Sequence, residues 1–113
     1  MIRIIQLNFF ICLLAFDALG QTTTLQSANE AFSKQDWKTA ISLYQKHLKT
    51  TTKDSAAFFN LGIALYKSQQ YEASVTALKK AVQHKFNPLR VSYHQAKVQV
   101  FMKKPKEATL WAN

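Results

Sequence analysis

Apolar positions between residues 55 and 82 fall into two runs with a helical step. Phe58, Leu61, Ala64, Leu65 and Ser68 follow three- and four-residue intervals, and Tyr71, Ser74, Val75, Leu78, Ala81 and Val82 do the same beyond a polar break at Lys67–Gln70. That spacing lines one face of a helix. With only a tight turn between them, the two predicted helices lie side by side and antiparallel. Boundary residues agree with this reading. Asp54 or Ser55 can cap the first helix, Asp36 can cap its counterpart upstream, and Asn87-Pro88 offers an N-cap followed by proline at the first helical position.

The pattern repeats. A shift of 34 residues places Ala28 on Gly62 on Ala96, Trp37 on Tyr71 on Pro105, and Ala40 on Ser74 on Ala108. It also pairs Phe32 with Tyr66 and Val100, Tyr44 with Leu78, and Leu48 with Val82. Three units follow: Gln21–Asp54, Ser55–Pro88 and a shorter Leu89–Asn113. Each is predicted to be a helical hairpin. Gly62 costs its helix about 1 kcal/mol relative to alanine. A position held by Ala, Gly and Ala in successive units therefore predicts a close helix–helix approach that excludes bulk. Trp37 and Tyr71, each opening a second helix, are expected to close the hairpin with large apolar surface.

These residues resemble the tetratricopeptide repeat. Phe58, Leu61, Gly62 and Leu65 fall on that repeat's first-helix signature, and Tyr71, Ser74, Leu78 and Ala81 on its second. Unit one is similar from Ala28 onward but carries Ser27 and His47 at places where a large apolar and a small residue are usual. Unit three keeps Ala96 and Ala108, has Gln95 and Gln99 at two normally apolar places, and stops at its twenty-fifth position. Thr52 and Phe86 stand where the family has its proline. The resemblance implies an all-α fold, antiparallel hairpins stacked as a right-handed solenoid of about two and a half repeats, and a role as a non-catalytic scaffold that binds a peptide or protein in its concave groove.

By the same resemblance the groove would be lined by Asn29 and Phe32 from unit one, Phe59, Asn60, Ile63 and Tyr66 from unit two, and Arg90, Tyr93, His94, Lys97 and Phe101 from unit three. Aromatic rings there could bury a partner's side chains while amide and basic groups hold its backbone or an acidic group. Some family members clamp a partner's C-terminal carboxylate. Asn29, Asn60 and Arg90 match three of the five clamp positions, and Leu25 and His94 depart from the other two. The incomplete second helix of unit three, Lys106–Asn113, would expose Leu110 and Trp111, so self-association through that open end is a further expectation.

The first twenty residues need a separate reading. Met1–Arg3 precedes the apolar run Phe9–Phe16, and Ala18-Leu19-Gly20 sets small residues at −3 and −1 of a cleavage site before Gln21. This is the layout of a secretory signal peptide. Its uninterrupted apolar core of 8 residues falls short of the roughly 20 that span a bilayer. The expected organisation is a signal peptide at 1–20 and a repeat domain at 21–113, exported to a bacterial periplasm or envelope. An uncleaved anchor is the alternative. The domain would contain no cysteine, so packing rather than disulfides must stabilise it.

Charge narrows the partners. Without Arg3 and Asp17 the chain keeps 14 Lys+Arg against 5 Asp+Glu, a net +9. Such a balance favours acidic partners or anionic surfaces. The alternative function is therefore a basic module for anionic lipid at a membrane surface or for an acidic envelope polymer. Export argues against nucleic acid. Enzyme chemistry finds no support: the domain has no HExxH, no glycine-rich phosphate loop and no histidine pair at ligand spacing. No metal or cofactor is expected, and no catalytic residue.

Overall fold

The computed structural model describes residues 24–103, which form five helices and, among the described residues, no strand. They are α1 (24–33), α2 (Trp37–Thr50), α3 (Ser55–Lys67), α4 (Tyr71–Gln83) and α5 (Pro88–Lys103). The signal segment, its cleavage site and the second helix expected at Lys106–Asn113 lie outside the described residues. α3 packs chiefly on α4, its hairpin partner, and next on α2; α4 packs in turn on α5. The hairpins are thus stacked, each burying its apolar stripe on the next.

The caps fall where the sequence puts them. Asp36 Oδ1 accepts from the Thr39 amide at 3.4 Å and Asp54 Oδ1 from the Ala57 amide at 3.1 Å, while Asn87 Oδ1 accepts from the Leu89 amide at 3.0 Å. Each supplies an acceptor to an otherwise unpaired donor of the first turn. Less foreseeable is how α1, α3 and α4 end. Gln35, Gln69 and Lys85 adopt positive φ angles of 60°, 64° and 71°. The amides that follow them reach back to Ala31, Leu65 and Ala81 carbonyls at 2.9 Å in all three cases. This is the left-handed helix stop usually given to glycine. Gln35 and Gln69 stand 34 residues apart, so the departure from glycine is itself repeated.

Inside the second hairpin, Gly62 meets Leu78. A Cβ on Gly62 would lie 2.7 Å from Leu78 Cδ2 and 2.8 Å from its Cγ. Leu78 is completely buried and has no room to yield. Ser74 Oγ donates to the Gly62 carbonyl at 2.6 Å, which accounts for a small hydroxyl at that place. Phe58, Leu61, Ala64 and Leu65 of α3 and Ser74, Leu78 and Ala81 of α4 are buried as their spacing predicts. Two positions differ. Val82 is 40% exposed because α4 turns it away from the core in its last turn, and Ala96 lies on an exposed face of α5.

Candidate functional site

α3 and α5 bring their side chains together in one strip. Arg90, in the first turn of α5, lays its guanidinium 5.0 Å from the Phe59 ring centre and 5.6 Å from that of Phe86. One turn on, the His94 ring stands edge-on to Phe59 at 5.3 Å and to Tyr93 at 5.1 Å. Lys97, a turn further, holds its ammonium 5.1 Å from the Tyr93 ring and 6.0 Å from that of Tyr66. Phe101 closes the strip against Tyr66 at 5.5 Å and Tyr71 at 6.0 Å. Lys67, at the end of α3, also approaches the Tyr66 ring, at 6.0 Å. The helical rise of one turn per 3.6 residues produces this alternation of cation and ring along α5.

Each cation over a ring face gains from the ring quadrupole, but none has a carboxylate. Among the described residues the single contact between a carboxylate and a basic side chain is that of Asp54 with His47, and Glu30, Asp36 and Glu72 have no ring or cation contact in the strip. Positive charge therefore accumulates on one surface. Its effect appears at His94, whose pKa is pushed below the usual 6.5, first by burial and then by Lys97, Arg90 and Lys67. Tyr66 shifts upward, mainly through burial and then through its neighbours Tyr71 and Tyr93.

The expected groove residues divide into two groups. Tyr66, Arg90, Tyr93, His94, Lys97 and Phe101 share the strip, and Tyr93 is 62% exposed. Phe59 belongs to its floor: it is only 4% exposed and stacks on Phe86 with ring centres 4.4 Å apart. Ile63 is half-buried against the core.

The second group gathers around Tyr44. Tyr44 Oη donates to Asn29 Oδ1 at 2.6 Å and accepts from Asn60 Nδ2 at 3.3 Å, so one buried hydroxyl ties α1, α2 and α3 together. Phe32 packs edge-on against Trp37 at 5.3 Å and Tyr44 at 6.3 Å. Asn29 and Asn60, two of the clamp positions, are thus already engaged by the protein itself. Burial raises the Tyr44 pKa, the Asn60 hydrogen bond opposes that shift, and the Asp54 charge adds to it.

Sequence reasoning missed three of these contacts. Local spacing gives no sign of the Phe86 stack, the Tyr44 hydroxyl or the part-buried contact of His47 Nε2 with Asp54 Oδ2 at 2.8 Å. All three sit where one unit departs from its neighbour. Tyr44 aligns with Leu78 and His47 with Ala81 under the 34-residue shift, and Phe86 replaces a usual proline. No group of three or more His, Cys, Asp or Glu among the described residues could hold a metal ion, and no described helix is long and apolar enough to cross a membrane.

Stacked antiparallel hairpins, the second closed around the contact of Gly62 with Leu78, define a tetratricopeptide-repeat fold. Among solved structures the chain is similar to the TPR2B domain of yeast Sti1, determined as a complex with pHsp70: the TM-score is 0.68 and the identity 23%, over 80% of this chain and 72% of that one. The sequence matches no family model and no curated protein.

Proposed function

We propose that the chain is a non-catalytic interaction module that holds an acidic peptide or protein segment along the strip between α3 and α5. The observation that carries this reading is the alternation of Arg90, Lys97 and Lys67 with aromatic rings, without a carboxylate to neutralise them. The partner's acidic groups would meet the cations, and its apolar side chains would cover Tyr66, Tyr93 and Phe101. Binding of pHsp70 by the structurally similar Sti1 domain supports a peptide or protein as the occupant. The N-terminal segment supports a place outside the cytoplasm, in a periplasm or cell envelope. Exposed Leu89, Tyr93 and Val100 on α5 support self-association at that end as a secondary property.

The test uses a fluorescent acidic peptide with aromatic residues and a free C-terminus, together with its amidated twin. Tyr66→Ala combined with Tyr93→Ala should abolish capture, and Tyr93→Ala alone, at a residue 62% exposed, should weaken it while leaving thermal stability nearly intact. Retained capture would move the site elsewhere. Equal affinity for the two peptides would show that the terminal carboxylate is not the recognised group. The net charge of +9 favours a second reading, a basic surface for anionic lipid or an acidic envelope polymer. That reading requires affinity to collapse with salt, whereas aromatic anchoring makes the dependence mild.

A further inference from the structure

α5 is apolar on two opposite sides. Val91 and Val98 are its buried residues, and it packs on α4 and, less extensively, on α3. About half a turn away from those valines, Leu89, Tyr93, Ala96 and Val100 are exposed, Leu89 by 80% and Val100 by 49%. At 3.6 residues per turn these four fall within a sector of about 60°. α2 makes the contrast plain, since every exposed position from Lys38 to Thr50 is polar. A helix with apolar residues all round is one that is buried all round, so the outer side of α5 calls for a cover.

The four outer residues follow one another at steps of four, three and four, the step of a coiled-coil seam. Their sizes are self-complementary. About a two-fold axis midway between His94 and Gln95, Leu89 meets Val100 of a second copy and Tyr93 meets Ala96, so one register seats both larger side chains against smaller ones. We infer that α5 pairs antiparallel with α5 of a second copy of this chain through these four residues. The seam runs for about 17 Å, and its area lies well below the roughly 800 Å² per partner of a standard interface. The dimer is therefore weak and reversible, with a dissociation constant on the order of 10 μM to 1 mM. Arg90 and Lys97 flank the seam on one side and meet their counterparts across the axis. Charge thus opposes the pairing, and salt promotes it. Tyr93 also belongs to the strip; given the acidic partner proposed above, that partner and a second copy exclude each other.

The test needs no ligand. Sedimentation equilibrium of the full chain over a concentration series should show a monomer–dimer equilibrium that tightens as salt is added. Leu89→Ser with Val100→Ser should weaken it tenfold or more, and both positions are exposed enough for the variant to fold. Register is read by cross-linking in a Cys12→Ser background, which removes the single cysteine. Leu89→Cys mixed with Val100→Cys should yield a cross-linked pair with a short thiol reagent, and neither variant should cross-link to itself. A monomer at every concentration would overturn the proposal: slow thiol labelling at position 89 would then assign the face to another segment of the chain, and fast labelling would leave it uncovered. Self-linking of Leu89→Cys would overturn the antiparallel register, and a dimer that salt dissolves would replace the apolar seam by charge. The acidic peptide is tested separately on the Leu89→Ser, Val100→Ser chain. Capture there, with no dimer in the parent, would remove the pairing and keep the strip. A parent dimer that the captured peptide does not dissociate would overturn the mutual exclusion.

Discussion

The two ends of the surface formed by α1, α3 and α5 handle polar groups in opposite ways. Toward the N-terminus, Asn29 and Asn60 are neutral and meet on one hydroxyl, that of Tyr44. Toward the C-terminus, Arg90, His94 and Lys97 are basic and meet only aromatic faces. A hydrogen bond between neutral groups fixes both side chains and commits one donor or acceptor of each to the protein itself. A cation on a ring is held in place, yet its charge is not cancelled. The first arrangement ties three helices together, and the second leaves the charge that the proposed recognition would use. The difference decides which groove residues merit a functional reading.

Both ends depend on one scaffold contact, and breaking it should have the largest effect. Gly62→Leu adds a side chain where even a Cβ would come within 2.7 Å of buried Leu78. Overpacking of this kind costs about 1–3 kcal/mol, occasionally more. With the hairpin itself forced apart, the domain should lose its cooperative melt by circular dichroism, and stability and peptide capture should disappear together. A variant that melts like the parent would mean that hairpin spacing does not position either end.

That contact was legible because it repeats: Ala28 and Gly62 align, and a glycine inside a helix is costly enough to need a reason. The hairpins, their order and three caps were legible on similar grounds, through 3.6-residue periodicity and short polar residues before apolar runs. The site was less so. Repeat alignment can place Arg90, His94 and Lys97 on one face, but it cannot reveal that Phe59 is sealed beneath Phe86 or that Asn60 is spent on Tyr44. Those outcomes depend on side chains 16 to 27 residues apart in sequence, beyond any local pattern. The left-handed Gln35, Gln69 and Lys85 were hidden because nothing in a glutamine or lysine announces a positive φ.

Tyr44→Phe separates the two ends more finely. It retains the ring that packs on Phe32 and removes the hydroxyl shared by Asn29 and Asn60. Loss of a hydrogen-bonded buried group costs about 1 kcal/mol or somewhat more, which lowers the melting temperature of a domain this size by about 4–8 °C. Affinity for an acidic peptide should not change, because the hydroxyl removed bonds Asn29 and Asn60 and none of the strip's cations. If affinity fell in step with stability, the neutral end would belong to the binding surface and the contrast would collapse.

The smallest effect concerns His94 and needs its sign worked out. Its folded pKa lies below 6.5 because burial, then Lys97, Arg90 and Lys67, oppose the proton. The unfolded chain therefore takes up the proton first, so the contribution of neutral His94 to stability is full above about pH 6.5. It is lost as pH falls from there through the folded value. A bound carboxylate beside Arg90 and Lys97 works in the other direction: it offsets their repulsion and lets His94 accept a proton more easily in the complex. Affinity for the acidic peptide should then rise on acidification below about pH 6.5, roughly a few-fold, although free-state stability declines over the same range. Titration calorimetry in two buffers of different ionisation enthalpy should detect proton uptake on binding, and His94→Gln should remove it. Tyr44→Phe should leave the uptake unchanged, because the hydroxyl it removes bonds Asn29 and Asn60 and not His94. Uptake that persists in His94→Gln would assign the proton to another residue and strip the C-terminal end of its pH response.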